Sequence, residues 1–233
     1  MAKEGPNINR RTLLKLGLAT GAVMKFGLIP KSVVGVEATN QNNVNSEKKM
    51  PGEQIGFVYD QSKCIGCGAC VEACRKTNQW DEGAQWRKVL FEGKSKAPSL
   101  NERHLSISCN HCEKPACLEI CPVKAYHKRP EDGIVLHDKE KCIGCMYCLY
   151  ACPYHAPSFS SKEGRISKCH FCYERQDQGL QPACVEACPM HALGVGKMDY
   201  LLSLPFVTQQ LKGMPSPDVT HPSYVIIPKK EMR

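Results

Sequence analysis

The chain has 233 residues, 42% of them hydrophobic, with 18 glycines, 16 prolines and 16 cysteines, so core material is scarce and staples are expected to hold the fold. Its formal net charge is +8. Half of that surplus sits in residues 1–38 (Lys3, Arg10, Arg11, Lys15, Lys25 and Lys31 against Glu4 and Glu37), and with no dense basic run beyond them the composition argues against a nucleic-acid partner.

The first segment reads as an address. Asn9-Arg10-Arg11-Thr12-Leu13-Leu14-Lys15 resembles a twin-arginine export signal, and Val36-Glu37-Ala38 has the small-x-small form of a cleavage site. The longest uncharged run, Leu16 to Met24, falls far short of the roughly 20 residues that span a bilayer. Residues 1–38 are therefore expected to direct export to the periplasm or the outer face of the cytoplasmic membrane. Residues 39–54 form a polar linker.

Next comes a short strand from Ile55 to Tyr59, leading into Cys64-x2-Cys67-x2-Cys70-x3-Cys74. A second quartet, Cys109, Cys112, Cys117 and Cys121, has an x4 middle gap. The stretch Ile134 to His137 predicts another strand, ahead of Cys142, Cys145, Cys148 and Cys152 with the first spacing repeated. A last quartet, Cys169, Cys172, Cys184 and Cys188, stretches the middle gap to eleven residues. Gly66, Gly68 and Gly144 allow tight loops whose N–H groups turn inward. After the third cysteine of each quartet a short helix is expected, with the fourth cysteine on it. Pro122, Pro153 and Pro189 follow three of the fourth cysteines and redirect the chain.

All sixteen thiols fall into these groups, and a cubane cluster needs four soft thiolates. Four [4Fe-4S] clusters are the expected cofactors. In ferredoxins of this spacing, three ligands come from one loop and the fourth from the partner group. Disulfide pairing gives no reason for four near-repeats with proline after the fourth cysteine, and zinc knuckles lack the x3 partner and its proline. The internal repetition implies an α+β fold of ferredoxin-like modules, each holding two clusters. Spacing alone favours adjacent pairing, first quartet with second and third with fourth.

From about Gly56 to Pro228 the chain resembles the four-cluster electron-transfer B subunits of the bacterial molybdopterin oxidoreductases, most of all the anaerobic dimethyl sulfoxide reductase type. The likeness is carried by the first quartet, by Ser106-Ile-Ser-Cys109-Asn110-His111-Cys112 with Pro115-Ala116-Cys117, and by Tyr147-Cys148 with Ala151-Cys152-Pro153-Tyr154. Lys168-Cys169, Cys172-Tyr173 and Pro182-Ala-Cys184-Val-Glu-Ala-Cys188-Pro189 complete it. The resemblance implies nested pairing. One cluster would take Cys64, Cys67, Cys70 and Cys188, and its neighbour Cys169, Cys172, Cys184 and Cys74. A third would take Cys109, Cys112, Cys117 and Cys152, and the fourth Cys142, Cys145, Cys148 and Cys121. It also implies an outer module of residues 55–104 plus 159–200, an inner module of 105–158, and a 201–233 extension packing on the modules or on a partner.

The expected role is a non-catalytic relay of single electrons from a membrane quinol-oxidising subunit to a molybdopterin catalytic subunit. Nitrite, tetrathionate, polysulfide and thiosulfate systems use equivalent subunits, and a free-standing polyferredoxin is a further alternative. His111, His155, His170 and His191 lie near cysteines and are expected to make hydrogen bonds instead of ligating iron. The aromatic residues around the loops are expected to pack. Lys63, Lys141 and Lys168 each precede a loop and are expected to raise the potential nearby. No catalytic constellation, phosphate loop or dinucleotide fingerprint stands out.

Overall fold

The computed structural model describes residues 52–81, 83–92 and 103–230, so the export signal and most of the linker lie outside the described residues. Every cysteine loop follows a strand. β1 (Ile55–Asp60) leads to the first, β3 (Arg103–Ser108) to the second, β5 (Val135–His137) to the third and β7 (Arg165–Ser167) to the fourth. Two of these strands were expected. The other two were not, their alternation being confined to the short stretches Leu105-Ser106-Ile107-Ser108 and Arg165-Ile166-Ser167. β3 pairs antiparallel with β2 (Arg87–Glu92), β5 with β4 (Tyr126–Lys128), and β7 with β6 (Ser158–Ser160).

The central sheet has the order β8-β1-β9, where β8 is Leu193–Lys197 and β9 is Tyr224–Ile227. β8 runs antiparallel to β1 with Phe57 opposite Val195, and β9 runs parallel to it with Phe57 opposite Tyr224. The C-terminal segment is thus an integral strand of the fold. Its Tyr224, Val225 and Ile226 are buried, and the Tyr224 hydroxyl donates to the Ser106 carbonyl at 2.7 Å. Phe57 stacks on Phe171 with centroids 4.0 Å apart, which locks the central sheet to the fourth cysteine loop.

The helices are short and begin one residue before the third cysteine of each quartet: α1 (Ala69–Asn78), α2 (Ala116–Glu119), α3 (Tyr147–Ala151) and α5 (Ala183–Glu186). The fourth cysteine lies on its helix only in α1, where Arg75 follows Cys74. Cys121, Cys152 and Cys188 stand beyond the ends of α2, α3 and α5, against expectation. The following proline is the reason, because its ring disfavours helical backbone at the residue before it. Cys152 accordingly has φ −76° and ψ 114°, an extended conformation. α4 (Tyr173–Asp177) follows the fourth loop directly, and α6 (Met198–Ser203) packs on the sheet. α1 packs against α5, and α2 against α3. Among the described residues no helix is long and apolar enough to cross a membrane.

Candidate functional site

The sixteen cysteines are all free and collect in four groups. Cys64, Cys67, Cys70 and Cys188 line one cavity. Cys109, Cys112, Cys117 and Cys152 line another. Cys121, Cys142, Cys145 and Cys148 line a third. The remaining four also meet: Cys74 lies near Cys172 and Cys184, and Cys169 near Cys74 and Cys184. Each group therefore joins three cysteines of one quartet to the fourth of a distant one. The adjacent pairing that spacing favours is not what the fold produces, because β8 and α5 carry Cys188 back beside the first loop while α2 and α3 pack together.

The groups form a row. Cys70 of the Cys64 group feels Cys184 of the Cys74 group. Cys169 of that second group feels Cys109 of the next. Cys117 of the third group and Cys148 of the fourth share a buried cluster with Tyr126 and Ile166.

Local backbone chemistry explains the loop shapes. The residue before the second cysteine of every quartet is left-handed: Gly66 at φ 70°, His111 at 44°, Gly144 at 70° and Phe171 at 61°. Glycine is needed at the first and third. A Cβ on Gly66 would stand 2.4 Å from the His104 ring, and one on Gly144 would stand 2.2 Å from the Gly164 carbonyl oxygen. At the other two, packing holds a strained residue in place. His111 and Phe171 are both fully buried and meet edge to face at 5.0 Å.

A second turn recurs after the fourth cysteine in Cys121-Pro-Val-Lys-Ala125, Cys152-Pro-Tyr-His-Ala156 and Cys188-Pro-Met-His-Ala192. Lys124, His155 and His191 are left-handed there. The turn lets the Ala125 and Ala192 N–H groups donate to Cys121 and Cys188 Sγ, each at 3.3 Å. The Ala156 N–H occupies the equivalent place near Cys152. Sequence reasoning missed this Cys-Pro-x-x-Ala repeat, although its three copies were there to be read. Phe171 N–H donates to Cys169 Sγ at 3.3 Å, Gly144 N–H to Cys142 Sγ at 3.5 Å, and Asn78 Nδ2 to Cys74 Sγ at 3.4 Å.

Burial pushes the Cys74 thiol up to about 11 and the Cys112 thiol up to about 12, and raises Cys70, Cys117, Cys148, Cys152, Cys169 and Cys184 as well. Thiolates at such depth need a strongly electrophilic partner, and binding one would release the protons. Four thiols spaced around a cavity, with N–H donors aimed at sulfur, fit a multi-atom iron–sulfur core.

The expected lysines separate. Lys63 and Lys141 are exposed and paired with Asp60 at 3.5 Å and Asp138 at 3.3 Å, so their charge is spent on carboxylates. Lys168 is only 4% exposed and donates to the Val135 and Cys169 carbonyls at the wall of the Cys109 cavity. A buried arginine, Arg87, was overlooked and lies against the first two groups. His111 Nδ1 accepts from the Val135 N–H at 3.1 Å, and His170 packs on Trp86 and Tyr173. Trp86 Nε1 donates to Ser167 Oγ at 3.0 Å, a packing role.

A 4Fe-4S dicluster domain model matches residues 101–198, and a 4Fe-4S binding domain model matches residues 57–76. The sequence is 36% identical over 200 residues to the B subunit of anaerobic dimethyl sulfoxide reductase from Haemophilus influenzae, covering 78% of this protein and 92% of that one. It is 39% identical over 188 residues to the B subunit of the Escherichia coli enzyme, covering 77% and 91%. Protein NrfC of Escherichia coli is 36% identical over 169 residues, covering 72% and 76%.

Proposed function

We infer the function from one premise: this protein belongs to the family of anaerobic dimethyl sulfoxide reductase B subunits, and is a non-catalytic iron–sulfur electron-transfer subunit of an oxidoreductase complex. It carries four [4Fe-4S] clusters, held by the four groups of four cysteines in two ferredoxin-like modules. The observation that carries this reading is that three separate cavities each have four cysteines in their lining. Each cluster, when bound, accepts and passes one electron at a time. The protein's part is to space the four sites in a row, to shield them, and to supply N–H donors and buried cations that favour the more negative reduced form.

Electrons pass in single steps from a membrane quinol-oxidising subunit, along the row, to a molybdopterin catalytic subunit that reduces dimethyl sulfoxide. Exposed apolar side chains beside the two end sites support docking there: Met190 next to the Cys64 site, and Ile120, Ile143 and Tyr147 next to the Cys121 site. Arg10 and Arg11 support export by the twin-arginine route, after cluster insertion in the cytoplasm. An export signal on this subunit itself also favours a second reading, the equivalent subunit of another reductase system.

Purification from anoxic cells tests both. The isolated subunit should take electrons from dithionite and pass them to an artificial acceptor, yet reduce no dimethyl sulfoxide until its molybdenum-containing partner is added. Turnover by the subunit alone would overturn the assignment. Restoration of nitrite reduction but not of dimethyl sulfoxide reduction would select the second reading.

A further inference from the structure

Arg87, on β2, is 1% exposed, and among the described residues no carboxylate pairs with it. A guanidinium cannot shed its proton inside a protein, so this is a permanent buried charge. Its fork is held by two hydroxyls: Nη1 donates to Ser106 Oγ at 3.0 Å and Nη2 to Ser108 Oγ at 2.9 Å. Its face lies over the Phe57 ring, 4.8 Å from the centroid. Ser106 Oγ in turn stands 3.5 Å from Cys70 Sγ. Cys184, Cys169, Cys70 and Cys74 all lie close enough to the guanidinium to interact with it electrostatically. These thiols belong to two different groups. A buried cation left without a counter-charge is strongly unfavourable, so its negative partners must come from what those thiols bind.

On the four-cluster reading, we propose that Arg87 is the shared counter-charge of two sites, that of Cys64, Cys67, Cys70 and Cys188 and that of Cys74, Cys169, Cys172 and Cys184, and raises the reduction potential of both. An electron arriving at either site, without a proton, makes it one unit more negative, and a fixed cation in low dielectric favours that state. Acting on both, the charge moves the two potentials together and leaves the step between them little changed. Ser106 hands the effect to Cys70, and only to the first of the two sites. Arg87 is thus a positioning and tuning residue; it does not react.

The test is an EPR-monitored redox titration of the purified complex, with iron counted per copy of this subunit, for Arg87→Gln, Arg87→Lys and Ser106→Ala. Arg87→Gln should lower the equilibrium constant for reduction of two clusters tenfold or more, which for one electron is about 59 mV, and leave the other two unmoved. Arg87→Lys should restore most of that shift. Ser106→Ala should lower one cluster only. Unmoved potentials in Arg87→Gln at full iron content, or an equal shift of all four clusters, would overturn the role of Arg87. Iron near zero in the wild-type protein would instead remove the cluster reading on which it rests. Should Arg87→Gln lose iron, the other two variants decide: wild-type potentials in Ser106→Ala, or a full loss of potential in Arg87→Lys with iron retained, would contradict the proposal.

Discussion

At the scale of single residues, the thiols were the legible part, because four soft donors at ferredoxin spacing have few other uses. Their environment was less legible. Gly66 and Gly144 announced the left-handed turn before the second cysteine, but His111 and Phe171 occupy the same conformation through burial alone, which a sequence does not display. Arg87 was overlooked for a related reason: exposed and buried arginines are spelled alike, and its hydroxyl partners lie on the neighbouring strand. Cys74 carries the sharpest residue-scale prediction. It sits on α1, yet its sulfur neighbours Cys172 and Cys184 are about a hundred residues away, and Asn78 bridges towards Cys172. Cys74→Ser should abolish the signal of the cluster at Cys169, Cys172 and Cys184, costing about four iron atoms per molecule. Loss tracking Cys121 or Cys152 instead would contradict the grouping.

At the scale of elements, proline sets where each helix ends. α2, α3 and α5 stop short of the cysteine that precedes a proline, whereas α1, with Arg75 in that place, runs on to Asn78. The spacing suggested helices but not their limits, since the x3 gap is the same whether or not the last cysteine is helical. Two of four strands ahead of the loops were likewise missed, because three apolar–polar alternations are too few to stand out. Loop closure gives a prediction here. Gly144→Ala would place a methyl against the Gly164 carbonyl and demand positive φ of an alanine, a combined cost on the order of 1–3 kcal/mol. The cluster at Cys121, Cys142, Cys145 and Cys148 should become labile, seen as loss of its EPR signal on mild warming while the other three persist. Gly68→Ala, at a position with open space, should be milder despite φ 76°.

At the scale of the whole molecule, the wrapped topology is what spacing could not supply. Adjacent quartets are the cheaper pairing in loop-closure entropy, but the central sheet overrides it by bringing β8 and β9 onto opposite edges of β1. The strand Tyr224–Ile227 closes that sheet, so a late segment of the sequence stabilises the first cysteine loop's own strand. Ile226→Ala should cost about 2–5 kcal/mol and lower the temperature at which visible absorbance of the clusters is lost. Export is expected to follow assembly. Replacing Arg10 and Arg11 by lysine should leave a brown, cluster-loaded protein in the cytoplasm, and normal periplasmic accumulation would show that another signal carries it. The most direct test of the relay itself is iron and acid-labile sulfide analysis of the anaerobically purified protein. Four cubane clusters predict roughly sixteen of each per molecule; a value near zero, with structure intact, would contradict the four-cluster relay.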